Sequence, residues 1–451
     1  MSEELREDSG DRLQALTEAL QSGTLSKVRR MLNALHAAEI AHLIESLPPS
    51  QREFVWELVE PENRGETLVH VGDEVRAGLI DAMEPHELLA AAGTLDTDDL
   101  ADLIQDLPGT VIGEVLRSMD KADRDRLEQV LFYDEDTAGG LMNVDTVTVR
   151  ADVTLDVVLR YLRRRGEVPE DTDSLIVVNR DEMYRGMLPL TVLLTAELDH
   201  TVAEVMDSSR EAIPAAMPAT DVAKRFQDRD LISAAVVNDD GRLLGRITID
   251  DVVDVIRDQA DHSVMSMAGL NEEDDIFAPV MASAKRRAFW LGTNLITAFL
   301  ASWVIGQFQG TLEKVVALAV LMPIVASMGG IAGSQTLTLV IRGLALGQVG
   351  KTNTRWLMTK ELMVGAINGL TWAAIVAIVA VIWFGDWQIG GIIAIALVLN
   401  LIAAALAGVT IPVIMKRFGI DPALAGSVVL TTVTDVVGFL AFLGLATLLL
   451  I

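Results

Sequence analysis

Apolar residues follow three different rhythms along this chain of 451 residues. From about 11 to 132 they fall in short clusters at helical spacing, broken by Leu-Pro and Glu-Pro pairs and with almost no strand-like alternation. This predicts short stacked helices. Ala38-Glu-Ile-Ala-His-Leu-Ile-Glu-Ser-Leu-Pro48 returns as Asp98-Asp-Leu-Ala-Asp-Leu-Ile-Gln-Asp-Leu-Pro108, a self-similarity at an offset of sixty residues that suggests a small α-solenoid. From 141 the pattern changes to two related units. Val149, Leu155 and Val158 lead to Ser174-Leu-Ile-Val-Val-Asn179 and then Gly186-Met-Leu; Ile213 and Val222 lead to Ser233-Ala-Ala-Val-Val-Asn238 and then Gly245-Arg-Ile-Thr-Ile-Asp-Asp251. Each unit mixes strand with helix. Beyond 285, five stretches at roughly 289 to 308, 314 to 341, 360 to 384, 389 to 415 and 422 to 451 are long and apolar enough to cross a bilayer.

The expected organisation is an acidic helical N domain (1–133), two α/β modules (134–200 and 201–258), a connecting helix with its linker (259–284) and an all-α, five-helix transmembrane domain (285–451). Charge divides the chain at the same place. Residues 285 to 451 hold 10 basic and 5 acidic side chains, against 26 and 59 in the rest. The acidic half suits cations and excludes nucleic acid or an anionic membrane surface as partner. Lys285, Arg286, Arg287, Arg342, Lys351, Arg355, Lys360, Lys416 and Arg417 would fall on one side of the bilayer and only Lys314 on the other, which places the N-terminal half in the cytosol and Ile451 outside. The polar start, Met1-Ser-Glu-Glu-Leu-Arg-Glu-Asp, does not read as a signal peptide.

Asp435 changes the picture most. It lies inside the last apolar stretch, where an ionised carboxylate costs about 2.5 to 3.5 kcal/mol on insertion scales, and intramembrane acids mark pathways. Thr431, Thr432 and Thr434 set three hydroxyls beside it. Cysteine is absent and all six histidines precede residue 285, so only hard oxygen donors remain at membrane depth, as magnesium, calcium or manganese prefers. The competing reading is a carboxylate neutralised by a proton or tied to Asn368 or Asn400. In the second span, Pro323-Ile-Val-Ala-Ser-Met-Gly-Gly-Ile-Ala-Gly-Ser-Gln335 has two readings. Gly329 and Gly333, like Gly365 and Gly369, suit close helix packing. Gly329 and Gly330 also suit an opened backbone lining a pore, which Ser334, Gln335, Thr336 and Thr338 favour. Glu361, next to Lys360, reads as an interfacial ion pair.

Two acidic runs at helical spacing stand out in the soluble half: Asp98, Asp102 and Asp106, then Asp250, Asp251, Asp254, Asp258 and Asp261. Each is a solvated face or, if the two approach one another, a pair that needs counterions.

The two α/β units, over about 137 to 258, resemble a tandem pair of CBS domains. In that family a Gly-x-hydrophobic-Thr-x-x-Asp ending can hold a nucleotide ribose and phosphate. Thr248 and Asp251 match it, while Pro189 and Val192 replace them in the first unit, so the resemblance implies at most one site per chain for ATP or another adenine nucleotide. The whole chain resembles the MgtE family of magnesium channels, in its domain order and in Gly-Gly-x-Ala-Gly-Ser-Gln-Thr (329–336), Asn368-Gly369 and Asp421-Pro-Ala through Thr-Thr-Val-Thr-Asp435. Ile331 stands where that family often has Asn, and Gln259 and His262 interrupt the connecting helix where glutamates are common. The resemblance implies a homodimer in the inner membrane, not an enzyme, with a pore on the two-fold axis. Asp435 of both chains would hold hydrated Mg²⁺, with Thr431, Thr434, Gly329, Gly330, Ser334 and Asn368 along the path. It also implies that cytosolic Mg²⁺ closes the pore by bridging the two acidic runs. A proton- or sodium-coupled carrier, a pore for Co²⁺, Ni²⁺ or Mn²⁺, and a nucleotide-sensing receptor that transports nothing are the alternatives.

Overall fold

The computed structural model describes residues 25–451 except 96, 120–123, 125–126, 129, 170, 271–274 and 351; the side chains at 27, 97, 98, 102, 105 and 425 are also outside the description. The chain divides into two compact units, residues 1–260 with 273–278, and residues 261–272 with 279–451.

The first unit begins with α1 (Leu25–Leu32), α2 (Ala37–Glu45), α3 (Pro49–Trp56), α4 (Pro61–His70), α5 (Asp73–Ala82), α6 (Pro85–Ala92), α7 (Thr97–Asp106) and α8 (Gly109–Ser118). The Leu-Pro and Glu-Pro pairs are helix starts: Pro49, Pro61 and Pro85 occupy the first turn, where a missing N–H costs nothing. Alternate helices pack together, α2 on α4, α4 on α6 and α6 on α8, around buried Ile40, Ile44, Leu68 and Leu88. The stack is solenoid-like. The sixty-residue self-similarity is not its repeat, however. Its two copies are α2 and α7, five helices apart, and α7 packs on α4 outside the even-numbered stack. Both copies share an amphipathic pattern, which any short stacked helix needs, followed by a proline.

The CBS pair follows: β1 (Thr148–Arg150), α9 (Leu155–Arg165), β2 (Ser174–Val178), β3 (Tyr184–Pro189), α10 (Leu190–Thr195), α11 (Val202–Val205), β4 (Ile213–Pro214), α12 (Ala219–Arg229), β5 (Ser233–Val237) and β6 (Leu243–Thr248). Each half is a three-stranded sheet, β1-β2-β3 or β4-β5-β6, with the first pair parallel and the second antiparallel. The register shift falls at Val177/Val178 in one and Val236/Val237 in the other, so the halves are copies down to the bulge. Ile176, Val178, Met187 and Ala235 form a small core shared by both. A single helix, α13 (Ile249–Met267), then runs across residue 258.

The second unit holds α14 (Val280–Gly306), the short α15 (Gln309–Lys314), α16 (Ala317–Ala345), α17 (Thr354–Phe384), α18 (Trp387–Arg417) and α19 (Pro422–Leu450). Among the described residues five helices are long and apolar enough to cross a membrane: α14, α16, α17, α18 and most of α19. Alpha-helix α18 is the central one, packed against α16, α17 and α19, while the outer helices expose Phe289, Ile296, Ile367 and Ile382, as lipid-facing surfaces do. Helix α16 runs unbroken through Gly329 and Gly330, so the opened backbone expected there is not present. Gly329 and Gly333 serve packing, while Gly330 lies on an open face. A Cβ on Gly329 would lie 2.3 Å from Asn400 Nδ2, and one on Gly333 2.9 Å from the Leu430 side chain.

Candidate functional site

Helix α16 has two faces with different work. Gly329 and Gly333 face α18 and α19. A turn away, Ser327, Gly330, Ile331, Ser334 and Thr338 recur at spacings of three and four and line an open groove. Across it stand Thr431 and Asp435, one turn apart on α19; Ala326, Gln335 and Leu339 complete the wall of a space of about 980 Å³. Asp435 is half-buried and has no hydrogen-bond or ion-pair partner among the described residues. The Thr431 hydroxyl, which lines the groove, donates to the Ser427 carbonyl at 2.6 Å and keeps its acceptor capacity. One carboxylate and several hydroxyl oxygens around a space this wide suit a cation that keeps much of its water.

Other expected members of the path lie elsewhere. Thr434 is fully buried and donates to the Thr431 carbonyl at 3.0 Å. Gly329 is on the packed face, and Asn368 is exposed on α17, not on the groove. Thr336 is buried too, donating to Glu361 at 3.2 Å; Glu361 also accepts from Lys360 at 2.8 Å. For Thr434, Gly329 and Thr336 periodicity explains the placement: each is adjacent to a lining residue and so points to another face of the same helix. Asn400 does not bind Asp435 either. It donates to the Val325 carbonyl at 2.8 Å, wedged between Gly329 and Gly438. At the N-terminus of α19, Asp421 caps the helix through the Ala423 N–H at 2.9 Å and meets His262 Nε2 at 3.0 Å.

In the first unit, the side chains of Asp98 and Asp102 lie outside the described residues, as does Lys351 in the second. Asp106 is exposed and paired with Arg76, whose Nε donates at 2.6 Å; Asp73 pairs with the same guanidinium. Around this arginine stands another acid, Glu135, whose carboxyl is held above the usual glutamate range by burial and then by Asp136, Asp73 and Asp106. Asp250 and Asp251 both accept from the Thr248 hydroxyl at the start of α13, while Asp254, Asp258 and Asp261 are exposed along it. Among the described residues the structure brings neither acidic run into a cluster of three metal ligands.

A cavity of about 320 Å³ lies in the CBS pair, and Thr248 and Asp251 do not line it. Arg210, Arg225, Arg229, Asp207, Ser209 and Ser233 do. Hydrogen bonds from Ser209 hold Asp207 below the usual carboxylate range. No sequence motif announced these arginines, because they come from a loop and from α12. A further contact was invisible in sequence. Arg52, nearly buried, grips Asp275 with two hydrogen bonds of 2.6 and 2.7 Å and donates to the carbonyls of Ile44 and Glu45.

Three family models match the chain: a divalent cation transporter domain over residues 322–445, the MgtE intracellular N domain over 35–136 and a CBS domain over 202–258. The magnesium transporter MgtE of Bacillus subtilis is 26% identical over 95% of this chain and 95% of its own length. A crystal structure of the cytosolic domain of the Mg²⁺ channel MgtE in complex with ATP is 32% identical, with a TM-score of 0.49, covering 54% of this chain and 99% of that one. The magnesium transporter MgtE of Thermus thermophilus is 32% identical over 97% of this chain and 98% of its own. Identity at that level, sustained from the stacked N-terminal helices through the groove, means that the chain belongs to the MgtE family.

Proposed function

We propose that this protein is a magnesium-selective channel that imports Mg²⁺ across the cell inner membrane as a homodimer, and that cytosolic Mg²⁺ closes it. The observation that carries this reading is the open groove between α16 and α19, where an intramembrane carboxylate, Asp435, stands amid hydroxyls with no partner among the described residues. A single chain supplies one wall. A second copy, related by a two-fold axis, would supply the other and a second Asp435, giving the one or two carboxylates by which proteins hold a largely hydrated Mg²⁺. The relatives' names as magnesium transporters support the cargo. The positive-inside pattern supports a cytosolic N-terminal half.

Closure rests on electrostatics. Along α13 the exposed carboxylates of Asp250, Asp254, Asp258 and Asp261, with half-buried Asp251, make one acidic stretch; in the N domain exposed Asp106, with Glu135 nearby, marks another, to which the sequence adds Asp98 and Asp102. Mg²⁺ between such surfaces removes their repulsion and favours whichever arrangement brings them together, provided it binds that arrangement more tightly. An adenine nucleotide is a second proposed ligand. The arginine-lined cavity of the CBS pair is the proposed place for its phosphates; Arg225 and Arg229 there pair with Glu211, which a phosphate would displace. Uptake of Mg²⁺ into liposomes tests the reading. Native protein should pass Mg²⁺, internal Mg²⁺ should shut it, and Asp435→Ala should lose selective flux. Unchanged flux and selectivity in Asp435→Ala would overturn the role given to this residue.

A further inference from the structure

The oxygen-only groove contrasts with a cluster in the N domain. His36, Glu66 and His70 present one ligand atom each, all within 4.8 Å of one another. His36 Nε2 is 3.6 Å from Glu66 Oε1, and the two imidazole centroids are 6.3 Å apart. Glu66 and His70 are one turn apart on α4, on one face of the helix. His36 is the N-cap of α2, fixed by the reciprocal bond from its own N–H to Glu39 at 3.0 Å. The two helices pack directly, through Ile40 and Ile44 of α2 and Leu68 of α4, all buried. Two of the chain's six imidazoles therefore converge from rigid elements onto one carboxylate.

We propose that His36, Glu66 and His70 form a site for a borderline divalent cation of the Zn²⁺, Ni²⁺ or Co²⁺ class, distinct from any Mg²⁺ site. Two imidazoles and one carboxylate suit such ions, whereas Mg²⁺ prefers oxygen and gives up its waters reluctantly. Ligand atoms bound at about 2.0 to 2.2 Å require the three groups to close from their present spacing by side-chain rotation alone, which their exposure allows. Ligation through His36 Nε2 places the ring proton on Nδ1 and so gives up the long 3.4 Å bond that Nδ1 accepts from the Ala38 N–H. Three protein ligands leave positions for water, as in an exchanging site and unlike a closed structural one. Bound metal would lock the start of α2 to the end of α4. The acidic N domain would thereby respond to an ion other than the proposed cargo. The inference does not depend on the channel reading.

The test is competition with a chromophoric chelator for Zn²⁺ and Co²⁺, on tag-free, full-length protein in detergent, under millimolar Mg²⁺ to occupy oxygen-only sites. The absence of cysteine removes thiolate binding as an explanation. Loss of even an outer-shell partner commonly weakens metal affinity by about 10- to 100-fold, so His36→Ala and His70→Ala should each weaken Zn²⁺ by at least about tenfold. Glu66→Gln should weaken it while keeping the visible Co²⁺ spectrum of nitrogen ligation. His200→Ala is the control, since Glu197, Asp199 and His200 form the other such cluster among the described residues. Zn²⁺ affinity equal to native in both His36→Ala and His70→Ala, or loss only in His200→Ala, overturns the assignment. If an alanine variant fails to fold, His36→Gln and His70→Asn are read instead, against the same criterion.

Discussion

Asp435 and Glu361 show how two carboxylates in apolar helices take opposite roles. Glu361 is buried, with a hydroxyl and an ammonium to meet it; Asp435 faces an open groove with neither. The first is structural by its contacts, and Glu361→Ala should lower the thermal midpoint because Thr336 and Lys360 lose their acceptor inside the protein. Asp435→Asn should leave that midpoint nearly unchanged and act on ion flux. Glu135 makes a pH prediction. Its folded pKa is raised, chiefly by burial and then by Asp136, Asp73 and Asp106, so its contribution favours the fold below the ordinary glutamate range and is lost as pH rises through the folded value. Thermal unfolding from about pH 4 to pH 7 should show a stability decline in the native chain that Glu135→Gln flattens. A steeper decline in the variant would contradict it. Much of this scale was legible in sequence. A carboxylate in an apolar run identifies itself, and so does a helix rich in hydroxyls. The partner of each side chain does not: Thr336, Thr434 and Ser334 look alike in sequence, and only helix phase separates the two buried hydroxyls from the one on the groove.

Helix α16 carries small-residue packing on one face and a groove lined by hydroxyls, the proposed ion path, on another, with the faces set by the 3.6-residue period. The two readings of its glycines were therefore not rivals. This predicts opposite outcomes for neighbours. Gly329→Ala would drive a methyl to 2.3 Å from Asn400 Nδ2 and should destabilise the membrane unit by about 1 to 3 kcal/mol. For Gly330→Ala the nearest atom is Thr431 Cγ2 at 3.8 Å, so it should fold normally and alter conduction only. Detergent-melting curves with flux assays separate the two; equal destabilisation would contradict the face assignment. Among soluble elements the linker before α14 is held by the Arg52–Asp275 pair, with Phe277 beside the guanidinium and the Asp275 N–H donating to Glu74 at 2.8 Å. Removing one partner of a buried pair costs about 3 to 5 kcal/mol, so Arg52→Met should release residues 275–277 to proteolysis. The strands, the stacked helices and the spans followed from periodicity. This tether joins residues 223 positions apart, and no local pattern announces such a pairing.

At the scale of the whole molecule, charge and hydropathy divide the chain into an acidic N-terminal half and an apolar half with five helices long enough to cross a membrane, where Asp435 has no ion-pair partner among the described residues. In the proposed reading the first senses ions and the second is their path. Neither half explains the other alone. A soluble sensor without a groove has nothing to close, and an open-sided groove needs a second wall, which is why the proposed dimer matters to function. The overall order was readable from sequence because each part has its own hydrophobic rhythm. The partners of Asp106 were not, because it shares Arg76 with Asp73, close to Glu135, across elements distant in sequence. The most direct test of the central claim is the current through native protein in a planar bilayer under a tenfold Mg²⁺ gradient. A divalent-selective channel predicts a zero-current potential displaced by about 30 mV per tenfold gradient, lost in Asp435→Asn. A current that ignores the Mg²⁺ gradient, or an Asp435→Asn variant with native selectivity, would contradict the account.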